Sequence, residues 1–108
     1  MTSLALMKCA PGGQATALSD TAIAQHLAAL SAWQREGQEL RKTFSFKNYH
    51  ETMAFVNAGA WISHREDHHP DMSVHYNRCV VAYSTHDAGG ITLNDFICAA
   101  KLDALFAL

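Results

Sequence analysis

Residues 48–85 read NYHETMAFVNAGAWISHREDHHPDMSVHYNRCVVAYST, and the proline at position 70 divides the stretch into two periodicities. Before it, Asn48-x-x-Glu51 resembles a capping box and opens the longest helix, about 48–67. At about 100° per residue, Tyr49, Met53, Val56 and Ala60 share one side, while Phe55, Gly59 and Ile62 make a second apolar stripe. A surface helix needs only one stripe to face its own core. Two stripes predict that this helix also packs against another subunit, the competing reading being a helix sunk deeper in its own domain. Pro70 disfavours helical geometry at His69, so the chain turns extended there. Beyond it, Val74 and Tyr76 on one side of Asn77-Arg78, and Val80 to Tyr83 on the other, read as a hairpin.

Working outward, Gly89-Gly90 is a turn, and Thr92-x-x-Asp95 caps a last helix carrying Phe96, Ala99, Ala100, Asp103 and Leu105 to Leu108. Towards the N-terminus, Ser19-Asp20 starts a helix with Ile23, Leu27 and Leu30 on one face, expected to stop near Ser31. Trp33 to Glu39, turning at Gly37, leads into Leu40, Phe44 and Phe46 as a first hairpin. Residues 1–17 contain Pro11-Gly12-Gly13 and little periodicity, and read as a flexible N-terminal leader to a single domain over 18–108. The expected order is α-β-β-α-β-β-α: an α+β fold in which a four-stranded antiparallel sheet carries three helices on one face.

The whole chain has 108 residues, 49% apolar and 17% charged, with a net charge of −2. This excludes a disordered tail and, without clustered cations, direct nucleic-acid binding. No window approaches the roughly 20 apolar residues of a membrane helix. Three cysteines (Cys9, Cys79, Cys98) with no Cys-x-x-Cys argue against a disulfide scaffold or Cys-rich zinc site and for a reducing cytoplasm.

Five of the seven histidines fall between positions 64 and 86. His68 and His69 close a helix, where backbone carbonyls favour positive charge by roughly 0.3–1 kcal/mol. The preceding Asp67 can orient a ring through one nitrogen, leaving the other to move a proton. In Ser84-Thr85-His86-Asp87-Ala88-Gly89-Gly90 a third histidine stands at a strand end, and a Gly-rich turn lets backbone groups approach a flat heterocycle. The rival is a metal site: His64-x-x-x-His68 has zinc-like spacing and His86 could be a third ligand. The run His64-Arg65-Glu66 lacks the glutamate directly after the first histidine that metalloprotease helices use, and Arg65 adds like charge. His26, His50 and His75 read as surface or sheet residues.

Asp67-His68-His69-Pro70-Asp71, Tyr76-Asn77-Arg78, and Thr85-His86-Asp87-Ala88-Gly89-Gly90-Ile91-Thr92 with Asp95 together resemble the pterin-4a-carbinolamine dehydratase family, over about residues 18–108 and including Trp33 and Phe44-x-Phe46-Lys47. The resemblance implies a hydro-lyase that dehydrates 4a-hydroxytetrahydropterin to quinonoid dihydropterin, recycling the cofactor of aromatic amino acid hydroxylases. The pterin is then substrate, and no cofactor or metal is implied. His68 and His86 would be the acid/base pair and His69 chiefly a substrate contact. Groups around His68 to Pro70 and around Thr85, His86, Asp87 and Ala88 would grip the ring. Asp95 would orient a histidine or serve as the capping-box acid; Trp33 would wall the pocket, with Asp67, or belong to the core. A homodimer or homotetramer through the 48–67 helix or a sheet edge is implied, with a hydroxylase as candidate partner. The second function class is a protein-binding module on this fold, acting on a hydroxylase or a transcription partner; the third, a zinc hydrolase, predicts stoichiometric metal. The chain departs from animal members at His64, where they have glutamate, and at Met72, where an aromatic residue is frequent.

Overall fold

The computed structural model describes residues 3–105, so the Phe106–Leu108 end of the expected last helix lies outside the described residues, as do Met1 and Thr2. Three α-helices, α1 (Asp20–Leu27), α2 (Tyr49–Glu66) and α3 (Leu93–Ala104), alternate with two hairpins, β1 (Gln34–Glu36) with β2 (Glu39–Ser45) and β3 (Asp71–Val74) with β4 (Arg78–Tyr83). The sheet order is β1-β2-β4-β3, all antiparallel, so β2 and β4 form its centre. The α+β order read from the sequence holds.

Alternation along the central strands builds the core. Leu40 and Phe44 on β2, with Cys79, Val81 and Tyr83 on β4, are buried beneath Phe55 of α2 and Phe96, Cys98, Ala99 and Leu102 of α3. Lys42 falls on this same face, and its stem crosses the Phe44 ring with Nζ 4.8 Å from the centroid. It ends on Asp103 Oδ1 at 2.7 Å, so the ammonium is paired where its register would otherwise leave it against apolar surface.

Side-chain caps start the helices. Ser19 Oγ accepts the Ala22 N–H, and Asn48 Oδ1 accepts the Glu51 N–H. The Glu51 carboxylate reaches back to the N–H of Lys47, one residue before the cap, so the box at Asn48 is a variant of the usual one. Helix α1 ends at Leu27 rather than near Ser31: Ala29 and Leu30 bond to carbonyls three residues back, and Ala32 turns the chain with φ of 66°. Strand β3 likewise stops at Val74, leaving Tyr76 exposed in the hairpin turn.

Helix α2 directs Thr52, Phe55 and Gly59 inward, with Ile62 partly buried against the core. At Gly59 an added Cβ would stand 3.2 Å from Leu102 Cδ2, so its missing side chain sets how closely α2 and α3 approach. The second stripe, Phe55, Gly59 and Ile62, is thus the inward one; of the first, Tyr49 is 50% exposed and Ala60 exposed while Val56 packs partly on the core, and Trp61, in neither stripe, is 62% exposed.

The stretch read as a leader lies against α3. A single helical turn, Leu4–Leu6, packs on that helix, Lys101 Nζ donates to the Ala5 carbonyl, and Asn94 exchanges two hydrogen bonds with the Ala10 backbone. Irregular chain satisfied by side chains leaves no periodicity to read.

Candidate active site

The end of α2 positions the first histidines. Asp67 takes a left-handed conformation (φ 51°), and it and His68 both donate backbone N–H to the Ser63 carbonyl, which closes the helix one residue before the pair. The His68 ring turns inward, stacked on Tyr83 with centroids 5.8 Å apart and planes 20° from parallel. His69 stays exposed, its Nδ1 3.3 Å from the Pro70 carbonyl.

Asp95, fully buried, is the centre of the polar network behind His68. Its Oδ1 lies 2.6 Å from His68 Nε2, and its Oδ2 accepts from Thr85 Oγ1 and from the Thr92 N–H, each at 2.8 Å. A carboxylate only accepts, so Nε2 carries the proton and Nδ1 is left as the ring's basic nitrogen. Since the Thr85 hydroxyl proton goes to Asp95, Thr92 Oγ1 donates in the 2.8 Å contact between the two threonines. The two sequence readings of Asp95, capping acid and histidine partner, are thus both present geometrically, one on each oxygen.

The strand-to-helix loop supplies the third histidine. Thr85 and Gly90 exchange backbone hydrogen bonds, pinching off a turn that holds His86, Asp87 and Ala88. Gly89 closes it with φ of 73°, and a Cβ on Gly90 would meet Gln38 Oε1 at 3.0 Å. The left-handed backbone requires the glycine at position 89, whereas at Gly90 the obstacle is the movable end of the Gln38 side chain.

His68 and His86 line one open hollow of about 260 Å³, together with Asp67, His69, Ser84, Thr85 and Asp87. That size lies just below the usual range for ligand pockets, about 300–1,000 Å³. Pro70 and Ala88 are not in this wall, and Asp95 sits behind it. Trp33 is a core residue: it is 5% exposed, packs on Phe44 and Tyr83, and donates from Nε1 to Asp103 Oδ2 at 2.9 Å. Sequence reading missed Ser84, which has no chemical signature of its own, and Tyr83, which looked like one more apolar strand position. Burial pushes the Tyr83 hydroxyl well above its usual range, so it is a neutral floor under His68.

Elsewhere, the exposed His64 lies against Trp61, centroids 5.5 Å apart and planes tilted by 37°. Among the described residues no three His, Cys, Asp or Glu side chains are grouped as metal ligands would be.

The family model described as pterin 4 alpha carbinolamine dehydratase matches residues 16–105, a span that includes every element of this site. The chain belongs to that family. Within it, a Chromobacterium violaceum relative is 64% identical over 100 residues, covering 93% of each chain. One from Nitrosospira multiformis is 57% identical over 106 residues, covering 97% of this chain and 94% of the relative. Both names assign those proteins provisionally to the pterin-4-alpha-carbinolamine dehydratases. A crystal structure from Brucella melitensis, titled a transcriptional coactivator/pterin dehydratase, superposes with a TM-score of 0.81 at 29% identity, over 83% of this chain and 98% of that one.

Proposed function

We propose that this pterin-4a-carbinolamine dehydratase family member removes water from 4a-hydroxytetrahydropterin by histidine acid/base catalysis. The observation that carries the reading is the buried Asp95 carboxylate, which sets His68 on the same hollow as His86. In the carbinolamine the N5 lone pair expels the hydroxyl from C4a. The N5 proton is lost, the leaving oxygen gains one, and a C4a–N5 double bond results. His68, with its Nε2 proton held on Asp95, offers Nδ1 as the base; His86 in protonated form is the acid, and the pair exchange roles for the opposite face. Each well-placed group of this kind contributes about 10²–10⁴-fold. His69, Asp87 and the backbone of the two loops hold the ring, with Pro70 and Ala88 shaping those loops. In this reading the product returns, after reduction, to aromatic amino acid hydroxylases in the cytoplasm. The pterin is substrate, and the residues need no bound cofactor for this step.

A second reading is favoured by two exposed aromatic side chains of α2, Tyr49 at its start and Trp61 near its end: the helix joins copies of the chain or docks a hydroxylase or transcription partner. The structural relative named both coactivator and dehydratase supports keeping both roles on one fold.

The test is stopped-flow absorbance of 4a-hydroxytetrahydropterin, generated in situ, with and without the protein. Acceleration proportional to protein concentration is expected. Folded protein that leaves the spontaneous rate unchanged would remove the enzymatic reading and leave the binding role.

A further inference from the structure

Two thiols that the proposed dehydration does not use face one another across the joint between the N-terminal strap and α3. Cys9 Sγ and Cys98 Sγ are 3.6 Å apart, although the residues are separated by 89 positions. Cys9 also donates its thiol proton towards the Asn94 carbonyl at 3.7 Å, so the proton between the sulfurs is that of Cys98. The backbone on both sides of the bend is anchored: the Cys9 N–H donates to Glu66 Oε1 at 2.8 Å, and the Ala10 N–H to Asn94 Oδ1 at 2.9 Å. Cys9 is half-buried and reachable, whereas Cys98 is fully buried. The pair therefore has an entry thiol, a resolving thiol and a fixed separation between them. Cys79, the third cysteine, lies sealed under the sheet in β4 and serves as an internal control.

We propose that Cys9 and Cys98 form a dithiol that reacts with low-molecular-weight disulfides and closes an intramolecular bond, stapling the strap to α3. With glutathione disulfide as oxidant, the Cys9 thiolate attacks one sulfur and displaces one glutathione thiolate, leaving a mixed disulfide on Cys9. Cys98 then attacks the Cys9 sulfur, releasing the second glutathione, which takes up the Cys98 proton. The two protein thiols are oxidised and one glutathione disulfide is reduced to two thiols. The buried Cys98 thiol, whose contact with Cys9 and burial both resist ionisation, makes the second step the slower one. Glu66 and Asn94, the partners of the strap, stand beside His68 and Asp95 in sequence, so the staple fixes the ends of both helices that meet behind the hollow.

The test incubates the full chain with glutathione disulfide, then maps peptides without reduction, counts thiols in denaturant and records thermal unfolding. The expected product has no covalent link between chains, is two hydrogens lighter per chain, carries a Cys9–Cys98 crosslinked peptide, and keeps one thiol, that of Cys79. Closing so long a loop should raise Tm by about 5–10 °C, reversed by dithiothreitol and absent in Cys9→Ser and in Cys98→Ala. A persistent glutathione adduct on Cys9, dimers linked through Cys9, or three thiols surviving the treatment would each overturn the proposal.

Discussion

Asp95 holds His68 through Oδ1, 2.6 Å from Nε2, while its Oδ2 caps the helix on which it stands by accepting the Thr92 N–H. One buried carboxylate thereby couples the register of α3 to the orientation of a ring at the end of α2. The two duties can be separated by substitution. In Asp95→Asn an amide oxygen can still cap the helix, but the fixed acceptor for the His68 proton is lost. A fall in kcat of about 10²-fold with KM little changed is expected. Asp95→Ala removes the cap as well and should cost about a further 1 kcal/mol in urea unfolding. Equal kcat values for wild type and Asp95→Asn would remove the positioning role.

Glu66 makes the fold acid-sensitive. Burial works to raise its carboxyl, but the Cys9 N–H and the cations of Lys101 and Lys8 outweigh it, and the group lies below the ordinary carboxylate value. A depressed folded-state value contributes stability that is present above the unfolded-state value, about 4.3, and is lost as pH falls through the folded one. Thermal unfolding at pH 7 and at pH 3 should show Glu66→Gln below wild type at the higher pH, by a gap that narrows at the lower. A gap of the same size at both would contradict the assignment.

At Gly59 of α2, buried Leu102 of α3 stands in the path of any side chain, 3.2 Å from an added Cβ. Gly59→Val should overpack the joint and cost about 1–3 kcal/mol by denaturant titration. A variant as stable as wild type would mean that Leu102 has room to move.

In the proposed reaction Tyr83 contributes its ring, on which His68 stacks, and its buried hydroxyl takes no step. Tyr83→Phe should therefore retain the dehydration rate and unfold at no lower temperature, because a buried polar atom is removed without disturbing the stack. A large loss of rate in this variant would assign the hydroxyl a part in the chemistry.

Much of this arrangement is legible in the chain because its boundaries are chemically sharp. Pro70 bars helix at His69, although the left-handed turn at Asp67 already closes α2, and the alternation at Leu40, Phe44, Cys79, Val81 and Tyr83 has the period of a one-sided sheet. Thr92 and Asp95 announce a helix start whatever else the acid does. The strap over residues 3–17 is illegible because hydrogen bonds that dock it on the domain are made with the side chains of Glu66, Asn94 and Lys101, far along the chain. Trp33 could be read either as pocket wall or as core, since an indole serves both; the Asp103 carboxylate that takes its N–H lies 70 residues away. The early end of α1 depends on the bend at Ala32, a residue with no local signal for a left-handed turn.

The most direct test of the account is the stopped-flow dehydration rate of 4a-hydroxytetrahydropterin with wild type, His68→Ala and His86→Ala, each checked for native Tm. Each substitution should lower kcat by about 10²–10⁴-fold, the range expected for one acid or base group. Full activity in both variants would contradict catalysis by these two histidines.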